Sequence, residues 1–291
     1  MLIPVKKLKS GFSMPVFGLG TWGMGGNDRR NPLNNDRKDI QAIRNALSSG
    51  ITHIDTAEMY AGGHAEELVG EAIKDYNRKK LFIVSKVWPT HLHYDDVLNS
   101  CANSLKRLKI NYLDLYLIHA ANPDIPIRET MKAMDRLLKE GLIKNIGVSN
   151  FSVKSFQKAQ SATENKIVNN QLHYNLLIRE VEKRGLLSFC QNEDIMLTAW
   201  RPVQKGKFST ESYQIVDELA QKYHKTPVQI AINWLLSQKN VVTVSKMSHP
   251  RHLQENLGAV GWEMEIKDIE KLRQEFPDQA DFSDSTSVAI I

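Results

Sequence analysis

Eight short apolar runs alternate with amphipathic stretches along most of the 291-residue chain. The runs are continuously apolar, which is typical of parallel strands that are buried on both faces. They fall at 16–20, 51–54, 81–85, 113–118, 143–148, 167–171, 195–199 and 241–244. The other stretches space their apolar residues as helices do, and they fall at 36–49, 64–77, 94–108, 128–140, 152–160, 181–191, 226–237 and 250–258. This alternation predicts an α/β fold, specifically a closed (β/α)8 TIM barrel.

Some pieces lie outside the eightfold pattern. Residues 5–17 have the pattern of an N-terminal β-hairpin with its turn at Ser10 and Gly11. Two extra helices are predicted, near 211–223 and at 266–275. Because no linker or change of composition interrupts the chain, we expect residues 1–291 to form a single domain. Residues 276–291 are predicted to be a loose C-terminal tail, with a flap as the alternative for the part from Asp281 onward.

The composition argues against several classes of protein. Two cysteines do not make a disulfide framework, and Cys101 and Cys190 both lie among apolar residues that indicate packing. We expect no signal peptide, no membrane span of ~20 apolar residues and no basic arm for nucleic acid, and therefore a cytoplasmic protein. The net charge of +5 either helps to attract a phosphorylated ligand or belongs to a solvated surface. The nine histidines are scattered, and His91 with His93 alone would be a weak metal site, so no metal is predicted.

One glycine motif is misleading. Gly18, Gly20 and Gly23 match the G-x-G-x-x-G pattern of dinucleotide-binding folds letter for letter. In that setting the glycines lead into a helix, and an acidic residue ends the next strand about 20 residues later. Here a polar loop follows at 24–35, and the next strand ends at Asp55, which is too far along the chain. We interpret these glycines as allowing a backbone or a ligand to approach the strand end closely.

Four residues that can transfer or stabilise a proton lie at or just beyond the ends of three successive strands. Asp55, Lys86 and His119 end the strands, and Tyr60 lies in the loop after Asp55. In a barrel of this kind, functional residues lie at the carboxyl ends of the strands. The ammonium of Lys86 would lower the pKa of Tyr60 from its usual value of about 10, and Asp55 would keep Lys86 protonated. His119 would orient a substrate oxygen or help to move the proton, an arrangement that suits carbonyl reduction.

Each of these residues also has a simpler interpretation. Asp55 could cap the following turn, Tyr60 could be a surface aromatic, Lys86 could be a charge at a strand mouth, and His119 could be a satisfied core histidine. Any one of these residues could lack a functional role, but it is much less plausible that all four lack one.

The chain resembles the aldo-keto reductases in motifs that run almost from end to end. The matching stretches are 18–22 (GLGTW), 54–60 (IDTAEMY), 84–88 (VSKVW), 113–119 (LDLYLIH), 146–150 (IGVSN), 171–174 (QLHY) and 255–256 (EN). The resemblance implies a TIM barrel and NAD(P)H-dependent reduction of aldehydes or ketones to alcohols. It also implies that Tyr60 is the general acid, that Lys86 and Asp55 tune it, and that His119 orients the carbonyl.

The resemblance further implies a binding site for NADP(H), with NAD(H) as a possible substitute. Ser149, Asn150 and Gln171 match groups that hydrogen-bond the carboxamide, and Trp200 matches an aromatic that stacks on the nicotinamide. A helix cap, a buried backbone partner and an ordinary core tryptophan are the corresponding alternatives. The full set of cofactor-binding residues implied in this way is Gly20, Thr21, Trp22, Asp55, Ser149, Asn150, Gln171, Trp200, Arg201, Pro202, Val203, Lys246, Ser248, His252, Glu255 and Asn256.

The segment 245–256 resembles the part of the family that binds the adenosine 2′-phosphate, with Lys246 in the place of its lysine. Pro250 suits the first turn of a helix, whose amides could face an anion. The segment departs from the family pattern at Met247 and His252, where serine and arginine are common, and Arg201 stands where serine is usual. We expect a preference for NADPH over NADH.

The substrate pocket implied by the resemblance is lined by Trp22, Trp88 and His119. Because only residues 120–127 separate His119 from the next helix, we expect an open pocket and broad use of small aromatic, aliphatic or sugar-like carbonyls. Two alternatives are an NADPH-binding regulatory or partner subunit with little activity, and a lyase that uses Lys86 as a Schiff-base lysine.

Overall fold

A closed barrel of eight parallel strands stands at the centre of the structure, a computed structural model that describes residues 2–276 and 279–288. The strands are β1 (Val5–Lys7) and β2 (Ser13–Pro15) of an antiparallel hairpin, and then the barrel strands β3 (Phe17–Gly20), β4 (His53–Asp55), β5 (Phe82–Val87), β6 (Leu115–Ile118), β7 (Ile146–Ser149), β8 (Ile167–His173), β9 (Met196–Trp200) and β10 (Val241–Ser245). Each barrel strand pairs with the next one along the chain, and β10 pairs with β3 to close the barrel. The predicted TIM barrel and hairpin are confirmed.

Helices surround the barrel. They are α1 (Asp36–Ser48), α2 (His64–Ile73), α3 (Tyr94–Leu108), α4 (Ile127–Lys139), α5 (Val153–Gln160), α6 (Glu180–Lys183), α7 (Leu186–Asn192), α8 (Lys207–Thr210), α9 (Gln214–Tyr223), α10 (Pro227–Leu236), α11 (Pro250–Leu257) and α12 (Ile266–Glu275). The extra helices predicted near 211–223 and at 266–275 correspond to α9 and α12. The stretch 181–191 is divided between α6 and α7, because Gly185 between them has φ of 70°, which no helix accommodates. Across residues 2–276 and 279–288, no helix is long and apolar enough to cross a membrane.

The N-terminal hairpin is held to the end of the barrel by the partly buried ammonium of Lys6. Lys6 Nζ donates to the carbonyl oxygens of Leu236, Gln238 and Val241, at 2.7, 2.5 and 2.7 Å. The last carbonyls of a helix have no partner within the helix, so Lys6 satisfies a group at the end of α10. Met14 of β2 is buried and lies beneath the barrel, with its sulfur 3.8 Å from Asn169 Nδ2. The hairpin therefore closes the end of the barrel opposite to the carboxyl ends of the strands.

Gly18 is required by packing inside the barrel. A Cβ atom at position 18 would lie 2.5 Å from Nδ1 of His53, a fully buried side chain on the neighbouring strand. The close approach predicted for the glycines of the G-x-G-x-x-G pattern is present, but at Gly18 the approaching group is a side chain rather than a backbone or a ligand. Burial lowers the pKa of His53 to about 4, so its ring is neutral at pH 7.

Residues 279–288, here called the C-terminal flap, are bonded to the barrel. Ala280 pairs with the segment after β8, donating to Leu177 O at 2.7 Å and accepting from Arg179 N at 2.9 Å. The backbone N–H of Ser283 donates to Glu180 Oε2 at 3.0 Å, and Val288 is buried. A loose tail would make no such contacts, so they favour the flap among the two alternatives for this segment. Residues 277, 278 and 289–291 lie outside the described part of the chain, and the single-domain assignment stays a prediction.

Candidate active site

The structure brings Asp55, Tyr60 and Lys86 together at the carboxyl ends of β4 and β5; we call these three residues the Lys86 cluster. The ammonium of Lys86 donates to Asp55 Oδ1 at 2.6 Å, to the carbonyl of Thr56 at 2.8 Å and to Tyr60 Oη at 3.0 Å. Three donors on one ammonium therefore meet three oxygens, which is the full hydrogen-bonding capacity of lysine.

Lys86 and Asp55 of the cluster are buried, Tyr60 is partly buried, and a second layer of hydrogen bonds holds them. Lys86 is fully buried and Asp55 is 3% exposed. Gln171 Nε2 donates to the other carboxylate oxygen of Asp55 at 2.7 Å, and Thr21 Oγ1 donates to the backbone carbonyl of Asp55 at 3.0 Å. A buried ion pair is stable only when its remaining polar atoms are satisfied, and these contacts supply that.

The charges within the Lys86 cluster affect its members in opposite directions. Burial disfavours the charge of Lys86, but the nearby oxygens of Asp55 and Tyr60 outweigh burial and raise its pKa. Burial also raises the pKa of Tyr60, and the attraction of Lys86 opposes that rise without cancelling it, while the Asp55 carboxylate adds to it. The predicted lowering of the Tyr60 pKa by Lys86 is present as a contribution, but the loss of solvent around the phenolate outweighs it, so the net pKa is raised. At pH 7 Tyr60 is a phenol with its proton in place.

His119 lies beside Tyr60 after the end of β6. Its ring centroid is 5.8 Å from that of Tyr60 and 5.1 Å from that of Trp88, and both contacts are edge-on. Burial, and then the charge of Lys86, lower the pKa of His119 well below its usual range, so the ring is neutral. Its Nδ1 atom is buried without a hydrogen-bond partner among the described residues. A neutral imidazole carries one N–H and cannot act as a strong acid, which favours the predicted orienting role over proton donation.

The turn that follows Tyr60 is strained, and its sequence did not indicate this. Ala61, Gly62 and Gly63 all have positive φ, of 53°, 62° and 93°, and left-handed backbone is unfavourable for alanine. The N–H of Ala61 donates to the carbonyl of Asn27 at 2.6 Å. The polar loop at 24–35 therefore supports the turn that places Tyr60.

A second group of predicted residues forms a connected polar wall from β7 to β9. Asn150 Nδ2 donates to the carbonyl of His119 at 3.1 Å and to Ser149 Oγ at 3.0 Å, and its Oδ1 accepts from Trp200 Nε1 at 3.3 Å. Ser149 Oγ donates to the carbonyl of Gln171 at 3.0 Å. The helix cap considered as an alternative for Ser149 and Asn150 belongs instead to Ser152, which accepts from Ser155 N at the start of α5.

Trp200 has an unexpected neighbour on one face. The ring of His173 stacks on it with centroids 4.1 Å apart and planes 11° from parallel. His173 follows Gln171 by two residues on β8, so both side chains leave the strand on the same side. This spacing is the one signal in the sequence that points to His173. The residues after Trp200 form the β9 loop, residues 201–206, which contains Arg201, Pro202 and Val203 from the predicted cofactor set.

Residues 245–256, here called the anion segment, place the exposed ammonium of Lys246 beside the loop that follows β3. Lys246 is exposed and its Nζ donates to the carbonyl of Gly23 at 3.1 Å, so β10 and the loop after β3 face each other there. α11 begins with Pro250 in its first turn, as predicted. Ser248 Oγ is buried without a hydrogen-bond partner among the described residues.

The remaining members of the anion segment have different surroundings. Arg251 and His252 are exposed. Met247, which stands where serine is common in the family, is buried and packs in the core. Asn256 Nδ2 donates to Ser245 Oγ at 3.2 Å, and the carbonyl of Glu255 accepts from Gln229 Nε2 at 2.9 Å.

Aromatic rings line the opening above the Lys86 cluster. Trp22 is 39% exposed and meets Tyr60 edge-on, with centroids 5.1 Å apart. The second ring at the opening is that of Trp88. Glu58 Oε1 accepts from the backbone N–H of Trp88 at 2.7 Å and lies 3.0 Å from His91 Nδ1, so it holds the backbone that carries this ring. In the part of the chain that the structure describes, no three His, Cys, Asp or Glu side chains form a metal-binding group.

The profile of the aldo/keto reductase family matches residues 16–275. This chain belongs to the aldo/keto reductase family. It is 34% identical to methylglyoxal reductase YeaE of Escherichia coli over 91% of this chain and 92% of that protein. It is 33% identical to glyoxal reductase of Bacillus subtilis over 91% and 90%.

Solved structures of the family superpose closely on this barrel. The thermostable aldo-keto reductase Tm1743, determined with the inhibitor epalrestat, is 44% identical with a TM-score of 0.89, covering 93% of this chain and 98% of that one. An aldo-keto reductase from Klebsiella pneumoniae in complex with NADPH is 31% identical with a TM-score of 0.84, covering 95% and 96%.

Proposed function

We propose that this protein is an NADPH-dependent reductase of small aldehydes and ketones, with α-dicarbonyl compounds such as methylglyoxal and glyoxal as the first substrates to test. The single observation that carries the proposal is the hydrogen bond of 3.0 Å from Lys86 Nζ to Tyr60 Oη, made by a fully buried lysine that is also paired with Asp55. A protein that only binds a nucleotide has no need of that arrangement. The names of the relatives in E. coli and B. subtilis support the substrate class.

The residues at the barrel mouth fit a nicotinamide cofactor. His173 stacks on the ring of Trp200, and the guanidinium carbon of Arg201 lies over the same ring, 5.2 Å from its centroid. Amide and hydroxyl groups of Ser149, Asn150 and Gln171 lie nearby. Lys246 and the Ser248 hydroxyl, which has no hydrogen-bond partner among the described residues, suit a phosphate. The relative from K. pneumoniae has NADPH in its complex. When bound, the reduced nicotinamide would supply a hydride to the carbonyl carbon.

The chain's own residues would manage the oxygen of the substrate. Tyr60 donates its proton as negative charge develops on that oxygen. The phenolate that remains is stabilised by the Lys86 ammonium 3.0 Å away, and Asp55 keeps Lys86 charged throughout. His119, as a neutral donor, fixes the carbonyl oxygen near Tyr60 by a hydrogen bond. The raised pKa of Tyr60 keeps the proton available at pH 7 and confines its transfer to an oxygen that has become strongly basic.

The experiment that tests the proposal follows NADPH absorbance in the presence of methylglyoxal, glyoxal, a small aromatic aldehyde and an aldose. We expect turnover that depends on both reactants, with kcat/KM higher for NADPH than for NADH. Binding of NADPH without turnover of any carbonyl would contradict the proposal. Equal kcat/KM for the two cofactors would contradict the preference for NADPH.

A further inference from the structure

A buried ion pair lies on the outer side of the strand that carries Lys86. Glu66, the third residue of α2, is fully buried, and its Oε2 accepts from Arg107 Nε of α3 at 2.7 Å. Its Oε1 accepts from Ser85 Oγ at 2.5 Å. Because successive residues of a strand face opposite sides, Ser85 meets α2 outside the barrel while Lys86 faces the interior. The ion pair is thus bonded to the residue immediately before Lys86.

The arginine of this ion pair packs against the end of the turn that carries Tyr60. Gly63 is the last residue of that turn and has φ of 93°. A Cβ atom at position 63 would lie 2.7 Å from Arg107 Nε and 2.8 Å from Arg107 Cδ, so the arginine side chain lies directly against the backbone of Gly63. Together with the bond from Ala61 N–H to the carbonyl of Asn27, this contact supports the turn.

The backbone of Arg107 is held in place by the close approach of two helices. A Cβ atom at Gly70 of α2 would lie 2.6 Å from the carbonyl oxygen of Arg107 and 2.8 Å from the carbonyl carbon of Leu108. The backbones of α2 and α3 are therefore in contact, which only glycine permits. The guanidinium is then oriented by Glu66 and by Ser104 Oγ, which accepts from Nη2 at 3.3 Å.

The ion pair is not an efficient source of stability. Burial raises the pKa of Glu66 against the opposing attraction of Arg107, which shows that the carboxylate loses solvation at a cost in free energy. Apolar residues of the same volume often stabilise a protein as well as a buried ion pair does. A glutamate in the first turn of a helix usually serves the amides of that helix, whereas both oxygens of Glu66 are bonded to other elements. These observations favour a role in geometry over a role in stability.

We propose that the ion pair of Glu66 and Arg107 positions the Tyr60 hydroxyl for proton donation and thereby sets kcat without contacting the substrate. Glu66 is bonded to the strand that carries Lys86, and the arginine packs against the turn that carries the tyrosine. The ion pair therefore spans the two elements that meet in the 3.0 Å hydrogen bond at the centre of the site. A displacement of about 1 Å between reacting groups can lower a rate about 100-fold. The inference rests on the proposed function, because it concerns the proton that Tyr60 would donate.

The test is Arg107→Met, which keeps an unbranched side chain but removes the guanidinium and its bond to Glu66. We expect kcat with methylglyoxal to fall about tenfold because the turn loses this support, and the KM for NADPH to stay within about twofold of the wild type. In the cofactor-free protein, hydrogen–deuterium exchange of the peptide that contains Ala61 should become faster. Arg107→Lys keeps a cation on a long side chain and should restore most of kcat.

The matched control is Arg78→Met, which breaks a similar ion pair at the other end of the same strand. Arg78 Nη2 donates to Asp114 Oδ2 at 2.7 Å, and the side chain of Arg78 is 18% exposed, compared with 23% for Arg107. The same carboxylate oxygen accepts from the N–H of Ile83 near the start of β5. We expect Arg78→Met to lose unfolding free energy as Arg107→Met does, but to keep kcat within about twofold of the wild type.

A double-mutant cycle with Tyr60→Phe separates positioning from a general loss of structure. If Arg107 acts through the hydroxyl of Tyr60, Arg107→Met should lower kcat in the wild type and have no further effect in Tyr60→Phe. A structural defect that disturbs the whole site would lower kcat by the same factor in both backgrounds. If Arg107→Met does not fold, the cycle is measured with Ser85→Ala, which removes the bond between the strand and Glu66. Ser100→Ala, at a buried serine of α3, is then the control.

Two outcomes would overturn the inference, and they are distinguishable. If the wild type oxidises NADPH with none of the carbonyl compounds, the proposed function fails and the positioning role fails with it. The positioning role alone fails if the wild type is active and Arg107→Met, or Ser85→Ala in its place, keeps the kcat of its control. It fails equally if the loss of kcat is as large in the Tyr60→Phe background.

Discussion

The Lys86 cluster and the anion segment lie at the same end of the barrel but are built in opposite ways. Lys86 is fully buried and gives all three of its protons to oxygens of the protein. Lys246 is exposed and donates to a backbone carbonyl of the loop after β3. Lys86 thus uses all of its hydrogen-bond donors within the protein, while Lys246 has donors left for a ligand.

The difference follows from what each region must do. A group that stabilises charge in a reaction is most effective when its position is fixed beforehand in a dry site. A group that captures a phosphate from water works from the surface, at a smaller desolvation cost. The comparison therefore predicts that changes in the Lys86 cluster affect chemistry and stability, whereas changes in the anion segment affect only binding.

The largest effect is expected from Tyr60→Phe. Loss of the hydroxyl removes the proton donor but keeps the ring and its contacts with Trp22 and His119, so kcat should fall by about 10³-fold. NADPH binding, measured by fluorescence titration, should be nearly unchanged. Tyr76→Phe, which removes an exposed hydroxyl 3.4 Å from Ser48 Oγ, is the control. Retention of kcat in Tyr60→Phe would end the assignment of Tyr60 as the acid.

Lys86→Met should unfold more easily as well as lose activity. The substitution leaves the Asp55 carboxylate buried without its cation, and removal of one partner of a buried pair costs about 3 kcal/mol of unfolding free energy. Urea denaturation measures this, with Lys74→Met, an exposed lysine paired with Glu71, as the control. Equal unfolding free energies for the two variants would contradict the claim that the buried Asp55 carboxylate depends on Lys86 for its stability.

Lowering the pH from 8 to 5 should destabilise the barrel through His53, which faces the interior two residues before Asp55. Its pKa is about 4 in the folded protein and about 6.5 in the unfolded chain. Between these values the unfolded chain binds a proton that the folded protein does not, so stability falls as the pH drops below 6.5, by about 2 kcal/mol at pH 5.

The measurement compares the unfolding free energy at pH 8 and pH 5 for the wild type and for His53→Ala, whose pH dependence should be flatter. His249→Ala, which removes an exposed ring of the anion segment, should keep the wild-type pH dependence. An unchanged slope in His53→Ala would assign the acid sensitivity to other groups.

The smallest effect is expected from Lys246→Met. Loss of one exposed cation should raise the KM for NADPH about tenfold and leave the KM for NADH and the unfolding free energy nearly the same. Lys267→Met, at a side chain that is 74% exposed on α12, serves as the control. A fall in stability like that of Lys86→Met would remove the distinction between the two regions.

The elements and the positions of the ionisable residues could be predicted because both follow from local pattern. Continuous apolar runs identify buried parallel strands, and residues that end such strands in a barrel must share one rim. Asp55, Lys86 and His119 therefore came together as expected, and Tyr60 followed through its loop.

What failed depends on three-dimensional surroundings. The direction of the Tyr60 pKa shift is a balance between burial and two charges, and no sequence pattern gives the extent of burial. The stacking of His173 on Trp200 joins residues that lie far apart in the chain. Ala61 likewise has a left-handed conformation against its own preference, beside a hydrogen bond to Asn27 that the sequence does not indicate.

The contact between Gly18 and His53 has a consequence for anyone who redesigns this barrel. With 2.5 Å between a hypothetical Cβ and the imidazole, a side chain at position 18 is tolerated only alongside a smaller residue at 53. Single-site mutational scans would therefore score position 18 as immutable, although it can change together with position 53. Libraries that aim to alter this strand should therefore vary the two codons together, because a residue with a side chain at position 18 is accessible only as part of a double substitution.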